Sequence, residues 1–265
     1  MSTNATLTVS HPDGTFSSRY HHWDGQVKGL GVFLRDTIDT PEKVDWLFGL
    51  QRGFNSLMHD RPVNEDSPSS VQTSVAGGNV VNTNMTLLWY QQYKKDGLAL
   101  DWPPLFKKQC SDLYIQLMKP SERFVRNHQT WTQLDDFCDE EYNYIFDTVW
   151  KLIVHRAPSF QKSLMVDVRD IVVFKKICQV TVTPQTTPQL LADEWQVSPQ
   201  KAQNMIQKWQ NVSFENRCRI AEFIDFYSPT KAENFVRTFD AWAIKTQLQS
   251  NLERVSALAE RVSKI

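Results

Sequence analysis

The sequence predicts an α+β protein in two parts, with β-hairpins packed on helices over residues 1–155 and a helical region over residues 156–265. Three observations carry that expectation. Strand-like runs flank a Pro-Asp-Gly turn at 12–14. Tyr142, Tyr144 and Phe146 alternate just ahead of Trp150, Ile153 and Val154, which reads as a second hairpin. Beyond Pro184 the apolar residues recur three and four apart, the period of a helix.

Taken in order, the first hairpin runs into a glycine-studded turn where Gly25, Gly29 and Gly31 let the backbone turn or approach closely. Tyr20, Trp23 and Phe33 are expected to anchor the packing there. Val27–Ile38 reads as a short helix. A second helix starts at Thr40, Pro41 and Glu42, a cap, a proline at the first helical position and an early acid. Its apolar stripe is Val44, Leu47, Phe48 and Leu50. Residues 59–84 are polar and rich in Ser, Asn, Pro and Gly, which predicts a flexible surface loop. Met85–Tyr93 reads as a strand, Lys94–Gly97 as a turn and Pro103–Met118 as a helix. At the junction, Leu164–Val182 fits either a strand or a helix. The helical part holds a helix-turn-helix-like pair at 187–209 and a long helix at about 231–263.

Three segments resemble a family of small proteins from bacteriophages and bacterial mobile elements. Arg19–Leu34, RYHHWDGQVKGLGVFL, resembles that family's YxHWDGYPxGxGxxL opening. Asp39–Leu57 is similar to its xTDPEKVxxLIALGDISSL segment, more loosely after Gly49. The Glu140–Val154 stretch resembles its closing EEYxYxFxxGKWYV strand pair, with Thr148 and Val149 in place of the glycine turn. The resemblance covers about residues 5–155. It implies a fold, hairpins on helices, and a phage- or mobile-element origin, but no activity.

Composition bounds the function classes. Hydrophobic residues make up 41% of the 265 and charged residues 22%, as in soluble globular chains, while nine Trp and fifteen Phe suit aromatic cores or a sticky surface. No run of eighteen apolar residues is present, and the opening lacks the pattern of a signal peptide, so a cytoplasmic protein (host cytoplasm) with no membrane partner is expected. Residues 1–155 carry 14 Lys and Arg against 19 Asp and Glu, and residues 156–265 carry 15 against 11, together the 29 and 30 of the chain. An acidic front and a mildly basic rear suit two parts with different partners. Cys110, Cys138, Cys178 and Cys218 lie far apart with no paired spacing, so buried free thiols are expected and neither a zinc site nor a disulfide framework.

The sharpest candidate site is the pair at 187–209. Leu190, Leu191, Ala192 and Trp195 form the expected inner face of its first helix, Val197 the turn residue and Ser198-Pro199 the cap of the second. Ala202, Met205, Ile206 and Trp209 face inward. Gln200, Lys201, Gln203, Asn204, Gln207 and Lys208 face outward, amides and ammonium groups suited to base edges and phosphates of double-stranded DNA. The usual turn glycine is replaced by Gln196, and Asp193 and Glu194 are acidic. Plain scaffolding is the alternative reading.

Ala241, Ile244, Leu248, Leu252, Val255, Ala259 and Val262 form a near-heptad seam, with Lys245, Glu253, Arg254 and Glu260 off it. It predicts either a homodimer or a helix packed on its own domain. His21 and His22 are adjacent on a strand, so they point to opposite faces and cannot share one ion without a bulge. His59, His128 and His155 lie elsewhere, with no spacing that brings them together. The acids Asp135, Asp136, Asp139, Glu140 and Glu141, with Trp102, are the expected contacts for a protein partner. No catalytic residue, metal or cofactor is assigned, since phosphate-loop, nucleophile-elbow and metalloprotease motifs are missing.

Together these predict a non-enzymatic accessory protein that binds a host macromolecule, a host defence or regulatory complex among the candidates. The alternatives are a DNA-binding helix-turn-helix regulator and an enzyme of unrecognised type using His22 and Asp24.

Overall fold

Pro12, Asp13 and Gly14 turn the chain where the sequence places a turn. In the computed structural model, β1 (Ala5–Ser10) and β2 (Phe16–His21) pair antiparallel from Ala5↔His21 to Ser10↔Phe16. Gly14 takes φ 84 in that turn, a left-handed value that glycine adopts without strain. The Asp13 carboxylate accepts from the Thr15 backbone N–H at 2.9 Å and its hydroxyl at 2.7 Å. The structure describes residues 3–58, 74–76, 79–81, 92, 94–100, 104–107, 114–121, 125–135, 140–154 and 163–262.

Further strands are β3 (Phe54–Met58), β4 (Ser74–Ala76), β5 (Asn79–Val81), β6 (Ala99–Leu100), β7 (Tyr114–Leu117), β8 (Val125–His128), β9 (Tyr142–Phe146), β10 (Trp150–Ile153) and β11 (Met165–Asp167). The main sheet runs β11-β10-β9-β1-β2-β3-β7-β6. One edge of β2 is shared: β8 pairs with Phe16–Arg19, and β3 touches only at His21↔Phe54. The expected second hairpin is present, with Trp150 opposite Phe146. Its strand β9 lies parallel to β1, so β1 is enclosed between β2 and β9. Every residue of β9 is buried, as befits a strand covered on both faces.

One face of the sheet gathers Phe16, Leu134, Ile145 and Ile153, with Trp131 and Met165 packed on the edge. The other face takes the helices that follow β2. A π-helical turn (Val27–Gly31) leads into α1 (Val32–Thr37), and α2 (Pro41–Gly49) follows. Tyr144 donates its hydroxyl to the Gly25 carbonyl at 2.8 Å, and the Trp150 indole donates to the Ile38 carbonyl at 2.7 Å. These two bonds hold the opening segment on the sheet.

Several expectations change. Pro103–Met118 is not one helix: α3 (Pro104–Lys107) is short, and Tyr114–Leu117 is β7, because β3 and β6 offer it backbone partners on both sides. The strand expected at Met85–Tyr93 lies mostly outside the described residues, and Gln92, Lys94 and Lys95 are helical. Within 59–84, Ser74–Ala76 and Asn79–Val81 pair as a small hairpin; the rest of the expected loop lies outside the described residues. Trp23 is 48% exposed and is no core anchor, whereas Phe33 is buried. Asp24, not Gly25, takes the left-handed backbone, at φ 57. Gly25 is needed for close approach instead, since a Cβ there would meet the Ala5 Cβ at 2.8 Å and the Thr3 carbonyl oxygen at 2.9 Å.

The chain divides into two units, Met1–Arg169 and Asp170–Ile265, a boundary later than the expected 155/156 because β11 completes the sheet. After α4 (Trp131–Asp135) in the first unit, the helices are α5 (Val168–Cys178), α6 (Pro188–Glu194), α7 (Pro199–Gln210), α8 (Phe214–Ala221) and α9 (Pro229–Val262). Leucine, alanine and aromatic side chains at helical spacing build the second core, with Phe174 and Trp209 edge to face at 5.1 Å. Trp242 of α9 donates its indole N–H to the Thr186 carbonyl at 2.9 Å, fixing the long helix to the start of α6.

Candidate functional site

The pair α6 and α7 begins with two side-chain caps. Thr187 Oγ1 accepts from Leu190 N–H at 3.2 Å, and Ser198 Oγ accepts from Lys201 N–H at 3.3 Å. Between them the chain closes α6 by two reversed hydrogen bonds. Val197 N–H reaches the Ala192 carbonyl at 2.9 Å, and Gln196 N–H reaches Asp193 at 3.1 Å. This is the Schellman closure, which calls for a left-handed residue just past the helix end. Gln196 supplies it at φ 55, at the position where the helix-turn-helix pattern has glycine.

Leu191, Ala192 and Trp195 are buried against Ala202, Met205, Ile206 and Trp209, and the small alanines let the two helices cross closely. Leu190 is a correction: it is 55% exposed, because the helix turns it away from the Leu191–Ala192 face. Lys176 of α5 donates to the Trp195 carbonyl at 3.2 Å, and Arg217 of α8 donates to the Gln210 and Val212 carbonyls at 2.8 and 2.6 Å. Both helix ends are thus satisfied by cations, which suits the negative end of the helix dipole.

All six outward residues of α7 are exposed, yet they divide into three groups. Gln200 donates to the Asn204 amide oxygen at 3.1 Å. Lys208 is ion-paired with Asp170, so one expected phosphate contact already has a partner. Gln203 and Gln207 line a groove of about 280 Å³ with Gln210, Trp242, Gln247 and Asn251. Lys201, Gln200 and Asn204 remain on the open face.

Of the seam on α9, Ile244, Leu248, Leu252 and Val255 are 54–67% exposed. Val262 is the last residue of the helix. Leu258, which the heptad reading missed, is 61% exposed on the same helix; its spacing of three from Val255 was the available signal.

In the opening segment, Tyr20 of β2 and His22, just past the end of that strand, meet with Tyr20 Oη and His22 Nδ1 2.9 Å apart. The His22 and Trp23 rings are 5.8 Å apart, and the Trp23 backbone N–H is held by the Asn55 carbonyl at 3.1 Å. His21 points the opposite way and is fully buried; burial, then the neighbouring His22, push its pKa down to about 3. Neither of its ring nitrogens finds a partner among the described residues.

Of the five acidic candidates, Asp135, Glu140 and Glu141 are among the described residues. Asp135 is the last residue of α4. Glu140 is half-buried, with its backbone carbonyl accepting from the Asn143 amide at 3.0 Å, and Glu141 is exposed. Trp102, Asp136 and Asp139 lie outside the described residues, as do His59, His155, Cys110 and Cys138. Cys178 is buried, and burial pushes its thiol pKa well up; Cys218 is half-buried. Among the described residues no group of three His, Cys, Asp or Glu could hold a metal ion, and no helix is long and apolar enough to cross a membrane. No protein family, curated protein or solved structure matches this chain.

Proposed function

We propose that this chain is a binding protein whose helical unit engages double-stranded DNA through the open face of α7. The observation that supports the reading is the turn at Gln196: a glutamine held left-handed, with both flanking helices capped by side chains, makes the kind of tight crossing that a recognition helix needs. Gln200 and Asn204 would read base edges, and Lys201 would hold a phosphate. Retardation of random-sequence duplex by the full chain at low salt tests it. Retention that disappears in Lys201→Ala supports the reading, and no retention at low salt overturns it.

A second reading is favoured by a different observation, the half-exposed Trp23 beside His22 and Tyr20. In it the chain is an accessory protein of a phage or mobile element, as the resemblance of the opening segment implies, and the first unit binds a host protein. Exposed aromatics held on rigid backbone are the usual anchors of such contacts. Capture from host lysate with and without nuclease separates the two readings: DNA-borne capture is lost with nuclease, and protein capture survives it but fails in Trp23→Ala. The enzyme reading through His22 and Asp24 has less support, since His22 Nδ1 is already engaged by Tyr20.

A further inference from the structure

Helix α9 carries two apolar faces that point in different directions. Ala232, Val236, Phe239, Trp242 and Ala243 are buried in the helical unit. Beyond Thr246 every described side chain of the helix is exposed. Along that stretch Ile244, Leu248, Val255 and Leu258 form one stripe, turned by roughly 130° from the buried face at 3.6 residues per turn. A projecting helix of about fifteen residues is marginal in water by itself. Its stripe therefore calls for a partner.

The register of the stripe says which. Ile244, Leu248, Asn251, Val255 and Leu258 alternate by four and three without a break, and the sequence repeats the step at Val262. That is a strict a/d pattern with one polar layer, Asn251, and it moves Leu252 to the flank. We propose that this stripe pairs with a second copy of the chain as a parallel, in-register two-stranded coiled coil, with Asn251 facing Asn251.

Three arguments select that occupant. An amide both donates and accepts, so asparagine satisfies itself only when register and direction are matched; antiparallel packing sets d against a and would leave it against Leu248 or Val255. The exposed apolar side chains of two copies amount to on the order of 1,000 Å², enough for a specific interface. In a parallel pair, Gln247 lies beside Leu252 of the partner helix, and its uncharged stem covers that leucine without charge conflict. Gln247 and Asn251 also border the groove beside α7, and the pairing does not rest on what α7 binds.

Light scattering on the full chain at tens of micromolar should give twice the chain mass. Leu248→Glu with Val255→Glu should give the single mass, and the folded unit should survive because both positions are solvent-exposed in one copy. Asn251→Cys should form a covalent dimer under mild oxidation while the unsubstituted chain does not, since d-layer residues face each other within disulfide reach only in the parallel register. A monomeric full chain, a dimer indifferent to the two glutamates, or a dimer in which Asn251→Cys fails to cross-link overturns the proposal. The cross-link stands as a test even if the glutamate variant is poorly folded.

Discussion

Arg217 and Asp240 meet at 2.6 Å between Nη2 and Oδ2, and through that pair α7, α8 and α9 share one joint. The same guanidinium holds the Trp209 and Gln210 carbonyls at the end of α7, and the Val212 carbonyl just past it, through Nη1. Burial holds Asp240 above the usual carboxylate range, and the guanidinium opposes that shift without cancelling it. Removing the arginine leaves a half-buried acid and unpaired carbonyls together.

Arg217→Met should therefore lower unfolding stability by about 3 kcal/mol, the low end for breaking a buried pair because both side chains keep some water contact. Urea denaturation measures it. Arg237→Met serves as the control, since the Arg237–Glu233 pair is exposed and should cost under about 1 kcal/mol.

Gln196→Gly should raise the melting temperature, because glycine takes φ 55 without the strain of about 1 kcal/mol that a Cβ costs there. Gln196→Val should lower it. Equal melting points for all three chains would show that the left-handed turn is not strained.

Trp23→Ala should leave the melting temperature nearly unchanged, since half of that side chain is already in water. Phe33→Ala, fully buried, should cost about 3–5 kcal/mol. If Trp23 is a contact for a host protein, its truncation removes capture without loss of fold.

His21 gives the first unit a pH dependence. Its folded pKa of about 3 lies below the ordinary 6.5, so the unfolded chain takes up the proton first as pH falls. Stability should be full above about pH 6.5 and decline by roughly 1.4 kcal/mol per pH unit below it, until the folded state also protonates. Burial lowers His128 as well and adds to the same slope. Denaturant titrations at pH 7, 6 and 5 should show the decline, and His21→Leu should flatten it.

What the sequence revealed depended on how local the cause was. The two hairpins, the cap at Ser198 and the period of α7 follow from neighbours in the chain, and they were legible; the cap at Thr187 was equally local but went unread. The strand Tyr114–Leu117 was not, because its apolar residues also fit a helix and only β3 and β6 decide the matter. Trp23 read as a core residue since its type is usually buried, and nothing local says that the turn through Asp24 leaves it in solvent. In α7, spacing identified the outward face but not its subdivision, which depends on Asp170 and on α9.

The pairing of β1 with β9 also orders events on the ribosome. Ala5–Val9 leave the exit tunnel well before their parallel partner Tyr142–Phe146 is made. At ordinary elongation speeds that wait lasts roughly ten to thirty seconds. The nascent hairpin spends it with the outer edge of β1 unpaired, a template for stray strands or a hold for chaperones. Slower translation between the two strands would lengthen that exposure, so the yield of soluble protein should track codon choice in this interval more closely than anywhere after Phe146.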